Sequence, residues 1–567
     1  MAKRLYTMIF LAAVGAASAF AQWNTNATPV CIFGLQYTDP ETGEMKTGGD
    51  YYACNPKAVR TPDKKTWIAW KTGHYKEING IKRHGECTYL QLLDINGVPQ
   101  FEEPILVNDH VTPSWWSEYS LCVAADGSAI VTVADSRGEE ADMPDYITYT
   151  KTDENGEEYE VQEPYTSGKS FYPAIYKVDQ EGNFLWGLDG ISFDWAYYSP
   201  YTYAAVAGSN TYFIFKQMAS FEDIVAETDG AYLVRIDEEG IWQEPLKLSD
   251  NSLLHAQIIA SEGEDFLLFS DTPDGACVTR YTPEMEDVWG GTVTYDENKY
   301  EGYAMNQYKL ASDGNGGACV AFVRAMGGFT HNIRVQHING DGSLGFGLEG
   351  LDAANTEDND YDYCGIAVNP ENEEIMVDFE SQLPYTYDVM LQKFSFDGDY
   401  LFDELGLSIA NKNRATNAYA FGQVGCGAIP GTSDWIVCYR DVQAYVNASF
   451  VICRYDKDGT RVWKRTIGRE LDPTGITFVV EKEASYLFYR ETRSAKEPGI
   501  KIFRISHNGD YNVTYDMPED PTGIQTVATG NGQEQYFSAD GKQLQQLQRG
   551  LNIVRSSDGK IRKMVKD

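Results

Sequence analysis

Positive charge is scarce in this sequence: 46 Lys and Arg stand against 84 Asp and Glu, a net charge of −38. Nucleic acid and anionic membranes are thereby excluded as partners, because phosphate contacts need Lys and Arg. The acidity itself is read as solubility outside the cell. Histidine is also rare, with seven scattered residues and no C-x-x-C, so no metal centre is expected. A weak opening for calcium remains at Asp358, Asp360 and Asp362, which alternate and would share one face if extended. A solvated loop is the preferred reading there. The start of an EF-hand at Asp456–Gly459 lacks the closing Glu, since position twelve is Ile467. The nucleophile elbow, the H-E-x-x-H motif and the P-loop are all missing. The hairpin turns do not match a sialidase-type Asp box either, because Asp458 directly precedes Gly459 and Trp463 comes four later. No cofactor and no catalytic residue is assigned, and whether the chain is an enzyme is left open.

Beyond the first 21 residues no run is apolar enough to span a bilayer, so no transmembrane segment is expected. Residues 1–21 read as a signal peptide. Lys3 and Arg4 form the charged start, Met8–Ala17 is apolar, and Ala19-Phe20-Ala21 matches a small-x-small cleavage site. No Cys follows that site, which argues against a lipoprotein. Ten Cys in an exported chain could pair as five disulfides. Their spacing is irregular, however, and Cys122, Cys319 and Cys438 sit in apolar strand-like runs. They read as buried small hydrophobes, with Cys438–Cys453 the pair expected if one forms.

What the chain has in abundance is aromatics and turns: 38 Tyr, 25 Phe, 11 Trp and 52 Gly, with little helical periodicity. That combination indicates β structure. The segment Ile175–Gly187, IYKVDQEGNFLWG, reads as a hairpin with Gly at the corner that needs positive φ. Eight segments align to it, with turn positions at Gly97, Gly182, Gly240, Met285, Gly342, Gly398, Gly459 and Gly509. Met285 stands where Gly is expected, so the fourth turn is expected to differ. The mean spacing is about 59 residues, and each copy follows an apolar strand after a small-residue turn, giving about four strands per unit. The first interval is lengthened by an acidic insertion, Arg137–Gly168. A four-stranded unit has two apolar faces, and only a ring covers both faces of every unit. The expected fold is therefore all-β, an eight-bladed β-propeller over residues 22–520, with seven blades as the alternative. The apolar run Pro29–Leu35 is expected to supply a strand that helps close the ring.

The pairing of DGSAIVTVADSRG with IYKVDQEGNFLWGLDGI resembles repeats of secreted bacterial β-propellers exported by the type IX secretion system. The hairpin is also similar to the tryptophan-docking repeat of eight-bladed quinoprotein propellers. That likeness implies that Trp186, Trp289 and Trp463 pack between blades, with Trp242 one or two positions early. The short β-rich tail, 521–567, has the order DGK, RGLNIV, basic end, which resembles a type IX C-terminal sorting signal. The resemblance implies contacts with the secretion machinery through Arg549, Gly550, Ile553, Val554, Lys563, Val565 and Lys566. It also implies a protein secreted to the medium or the outer-membrane surface. Residues 541–567 carry seven Lys/Arg against two Asp, or +5, which leaves −43 for the rest.

Aromatics gather just before the innermost strands, in loops that would open on one rim: Trp115, Trp116, Tyr119, Trp195, Tyr197, Tyr198, Tyr201, Tyr303 and Tyr361. Flat rings beside Asp, Asn and Gln suit glycans or extended peptides. The leading function is non-catalytic binding of a glycan or surface protein through this rim. A polysaccharide or peptide hydrolase and a structural scaffold are the alternatives.

Overall fold

A computed structural model describes residues 23–34, 36–38, 45–47, 55–78, 81–110, 117–137, 146–152, 157–164, 170–218, 229–250, 256–272, 275–296, 308–327, 330–354, 360–382, 385–444, 447–471, 473–491 and 499–513. In the C-terminal region it describes 535–538, 543–544, 550–555 and 561–566. The signal-peptide segment lies outside the described residues. Those described contain strands and turns and no α-helix, hence no helix long and apolar enough to cross a membrane. The chain divides into two units, Met1–Val513 and Thr514–Asp567.

The first unit is an eight-bladed β-propeller of eight four-stranded antiparallel sheets, so the seven-bladed alternative falls away. The innermost strands of blades 1 to 8 are Lys57–Arg60, Leu121–Val123, Tyr201–Ala207, Ala256–Ala260, Lys309–Ser312, Asp360–Asn369, Phe421–Ala428 and Pro473–Val480. Blades 1 to 7 run outward in chain order. Blade 8 takes its outermost strand, Val30–Gly34, from the other end of the unit, where Val30 pairs with Ile502 and Gly34 with Gly499. The first apolar run thus closes the ring. The acidic insertion contributes a separate two-stranded ribbon, Tyr146–Thr152 with Glu158–Pro164.

Eight large hydrophobic clusters fill the unit, one at each joint between neighbouring blades, with a small ninth of Ala134, Phe171 and Tyr198. The cluster between blades 8 and 1 joins Ile68 and Trp70 to Tyr486 and Phe488. Because side chains alternate across a strand, odd and even residues of a middle strand serve opposite joints. Trp435, Val437 and Tyr439 face blade 6, whereas Ile436 and Cys438 face blade 8. Both faces are covered, so these strands read as continuous apolar runs. The same alternation decides the cysteines. Cys438 lies opposite Ile452 and Cys453 opposite Val437, which puts the two thiols on opposite faces of the sheet. The pair favoured from sequence does not form.

The eight hairpin turns share one geometry. In each, the amide at the turn position donates to the carbonyl three residues back, from Gly97 to Asp94 at 2.9 Å through Gly509 to Ser506 at 2.9 Å. Met285 obeys the same rule: its amide donates to Thr282 at 2.9 Å and its φ is +66°, beside +85° at Gly240 and Gly342. The expectation that the fourth turn differs is therefore corrected. A positive φ is costly for Met but reachable.

What most of these glycines share beyond φ is a ring on top of them. A Cβ at Gly240 would meet Trp186 at 2.5 Å, at Gly342 Trp289 at 3.0 Å, and at Gly509 Trp463 at 3.2 Å. Phe101, Phe346 and Phe402 cover Gly182, Gly398 and Gly459 in the same way, and Trp23 covers Gly97. Except for Trp23, each ring stands four residues after its own blade's turn position and docks on the next blade. The indoles also donate to the carbonyl two residues before the covered glycine: Trp289 to Gly340 at 3.1 Å, Trp463 to His507 at 2.7 Å and Trp23 to Ile95 at 2.9 Å. In blade 3 the docking position is Glu244, which carries no ring, and the turn it would cover is Met285. Where no ring docks, a Cβ is tolerated.

Trp242 belongs to another series, two residues after the turn. It bridges to Ile236 as Phe184 bridges to Val178.

The C-terminal unit holds a four-stranded sheet in the order Gln543–Leu544, Gln535–Ser538, Gly550–Arg555, Ile561–Lys566. Gly550 pairs with Lys566, Ile553 with Lys563 and Leu551 with Val565.

Candidate functional site

Of the nine rim aromatics, Trp115, Trp116 and Tyr303 lie outside the described residues. Tyr361 lies in the strand Asp360–Asn369, and its side chain is likewise not described. The other five gather around blades 1 to 3. Tyr119 is 2 % exposed, its hydroxyl donates to Ala69 O at 2.9 Å, and the Lys57 and Lys71 ammoniums sit 5.1 and 5.7 Å from its ring. Burial, only partly offset by nearby Glu118, holds the Lys57 pKa below its ordinary value. Tyr198 is buried against Phe171 at 5.4 Å. Tyr201 is half-buried with Lys216 over its ring at 5.2 Å, and burial followed by the nearby Glu118 charge raises its pKa. Tyr197 is half-buried. Trp195 alone among the five is exposed, at 38 %. So placed, Tyr119 and Tyr198 pack within the fold, and Trp195 presents a ring to solvent.

Trp195 does not stand alone. Its ring lies 4.8 Å from Tyr232, 5.7 Å from Phe215 and 6.4 Å from Phe193. Phe193 in turn meets Trp242 edge to face at 5.1 Å, and Trp242 is 46 % exposed. Phe193 follows the outer strand of blade 2, and Tyr232 lies in the third strand of blade 3. The rings therefore line the outer edge of the joint between those blades, away from the channel. Sequence reasoning took Trp242 as a displaced structural residue and passed over Phe193. The signal that distinguishes Trp242 is its spacing of two, not four, from Gly240.

A recurring set of titratable groups serves the joints between blades. Two residues before most turns stands a basic side chain that grips an acid of its own blade and a carbonyl of the next. Arg280 meets Asp265 at 2.9 Å and donates to Gly340 O at 3.0 Å. Lys393 meets Glu374 at 3.1 Å and donates to Lys457 O at 2.6 Å. Arg454 meets Asp434 at 2.7 Å and donates to His507 O at 2.8 Å. In blade 5 the place is taken by His337, 3.1 Å from Asp313 and 3.3 Å from Phe396 O. Burial alone would raise the Asp313 pKa. Hydrogen bonds from His337 and from the Asn315 and Gly317 amides outweigh it and hold the carboxyl below its ordinary value.

A carboxyl that titrates lower in the folded chain stabilises it fully above the unfolded value, and that stability is lost as pH falls through the folded value. Asp313→Asn is expected to cost about 1–3 kcal/mol at pH 7. The deficit should close as pH drops below about 3.9, where the unfolded carboxyl protonates. Urea melts of both proteins across pH check this, and a deficit unchanged at low pH would remove the assignment.

Thiol chemistry is disfavoured by burial, which pushes Cys122 and Cys364 up to about 12 and Cys453 to about 11. Burial also raises the Asp378 carboxyl, but that group is 1 % exposed and accepts from Gln423 Nε2 at 2.8 Å. A cavity of about 500 Å³ opens between blades 1 and 2, beside Asp63, Asp126 and Asp179. Its acids are held by Lys65 at 3.0 Å, by Lys177 at 3.1 Å and by the turn amides of Glu181 and Asn183. Among the described residues no three His, Cys, Asp or Glu side chains converge as a metal site. Asp358 lies outside the described residues, as do the side chains of Asp360 and Asp362.

No protein-family model matches the chain, and no curated protein matches it. Among solved structures, the subtype N11 neuraminidase-like protein of A/flat-faced bat/Peru (H18N11) is 9 % identical. It covers 55 % of this chain and 88 % of its own, with a TM-score of 0.30. A eukaryotic initiation factor is 10 % identical over 85 % of this chain and 97 % of its own, with a TM-score of 0.32. Prolyl oligopeptidase B from Galerina marginata is 10 % identical over 77 % of this chain and 56 % of its own, with a TM-score of 0.35. At such scores none of them bears on what this chain binds or does; the fold stands on its own sheets and joints.

Proposed function

We propose that this chain is an exported β-propeller that binds a glycan or surface protein through exposed aromatic side chains and performs no chemistry on it. The observation that supports this is Trp195, which sits beside a second exposed indole while the perturbed thiols and the raised carboxylate are sealed in joints. The C-terminal unit serves as the sorting element, its basic strand Ile561–Lys566 paired to Gly550–Arg555. The chain then works at the cell surface or in the medium.

The test is a glycan-array and pull-down screen with the mature full chain, repeated with Trp195→Ala and with Trp115 and Trp116 changed to Ala. Saturable binding weakened by one of these changes is expected. Absence of any ligand, or release of cleaved product from a bound one, would overturn the reading. Truncation before Thr514 should leave the chain inside the cell, and surface delivery of the truncated protein would remove the sorting role.

A further inference from the structure

We infer that Trp242 and Trp195, both backed by the buried ring of Phe193, form a strip that binds a neutral glycan chain on the outer edge of the joint between blades 2 and 3. The inference rests on the non-catalytic binding role above and names its site and ligand. Nine of the eleven tryptophans are described. Trp23, Trp67, Trp70 and Trp435 are buried, and Trp186, Trp289 and Trp463 are half-buried in docking positions. Only Trp195 and Trp242 are exposed, and both touch the same phenyl ring, Phe193. Two indoles left in water beside one another are unfavourable for folding alone, since each forgoes apolar burial. The joint that follows blade 3 also lacks a docked ring, with Glu244 and Met285 in place of the usual aromatic and glycine. Local rules are broken together where selection acts on something besides stability.

The two exposed indoles stand on either side of one buried ring, which spaces them apart and favours an extended ligand over a single small molecule. Phe193 lies 5.1 Å from Trp242 and 6.4 Å from Trp195, and buried Tyr232 supports Trp195 at 4.8 Å. The charge around the strip selects the chemistry. Asp189, Asp194 and Glu244 are exposed beside it, while Lys247 is engaged by Asp250 at 2.6 Å. Among the described residues the exposed acids here outnumber the cations, a balance that repels an anionic polymer and accepts hydrogen bonds from hydroxyls. A pyranose offers both partners at once, a C–H face for the indole and hydroxyl edges for the carboxylates.

The test is affinity electrophoresis of the mature full chain in gels containing laminarin, xylan or galactomannan, with polygalacturonate as the charged comparison. Retardation in at least one neutral gel and none in polygalacturonate is expected. Trp195→Ala with Trp242→Ala should weaken it about tenfold or more, as loss of stacking contacts does, and Trp195→Phe with Trp242→Phe should retain part of it. Melting temperatures of all variants are taken alongside, and the Phe pair keeps the test valid if the Ala pair unfolds. Retention unchanged in the Ala pair, or lost only when Trp115 and Trp116 are changed, overturns the strip while leaving aromatic binding elsewhere intact. Preference for polygalacturonate or capture of a protein alone overturns the neutral-glycan assignment. Absence of every ligand overturns the strip and the binding role together.

Discussion

Trp23→Ala is expected to cost about 3–5 kcal/mol, the range for a large aromatic removed from a packed core, and deletion of residues 23–34 should abolish cooperative folding of the propeller. Trp23 is 3 % exposed, with its ring 5.3 Å from Tyr486 and 6.1 Å from Phe488. It fills the docking place over Gly97 that blade 8, with Val513 four residues after its own turn, cannot fill by itself. The next residue completes the seam, since Asn24 donates to Arg504 O at 3.0 Å and accepts from the Arg504 amide at 2.6 Å. The deletion also strips the outermost strand from blade 8 and bares the edge Gly499–Ser506. Thermal melting and limited proteolysis read the outcome. A deletion variant that melts as sharply and as high as the parent would show that the ring does not depend on this seam.

The second large effect is expected at Gly240. Gly240→Ala should cost upwards of about 3 kcal/mol, whereas Gly431→Ala should cost only the 1–2 kcal/mol of a side chain in the left-handed region. Both glycines have positive φ, +85° and +76°. They differ in what a Cβ would meet: Trp186 at 2.5 Å in one case and nothing within 4 Å in the other. The indole has little room to retreat, because Nε1 donates to Glu238 O at 3.3 Å. The difference between the two variants, measured by urea unfolding, isolates the steric contribution of docking. Equal costs would mean that backbone conformation alone explains the turn glycines.

Sequence reasoning recovered the ring because the ring is written in local chemistry. Eight corner positions at regular spacing, and an unassigned apolar run at residues 29–35, were enough to place eight sheets and the closing strand. At Met285 the missing glycine points to a different turn, yet the turn is the same; the positive φ can be met by Met once no ring occupies the space a Cβ needs. Cys438 and Cys453 were paired on proximity along neighbouring strands, and a register offset of one residue places them on opposite faces. The aromatics were the least legible part. In a blade covered on both sides, a buried Tyr119 and an exposed Trp195 have the same kind of sequence neighbourhood. What separates them is which strand end meets the next blade. The strip at Phe193 and Trp242 depends on two segments about fifty residues apart meeting across a joint, and no single segment encodes that.

Asn24 and Arg504 are 480 residues apart in the chain. A polypeptide that emerges amino end first therefore presents its sealing strand long before the partner for that strand exists. Through most of the chain's passage Val30–Gly34 is a bare β edge, the kind of surface that recruits other chains. Closure over so long a separation is expected to be slow, because so distant a contact must be found by search. A protein built this way needs either a holding factor during synthesis or closure fast enough to outrun association.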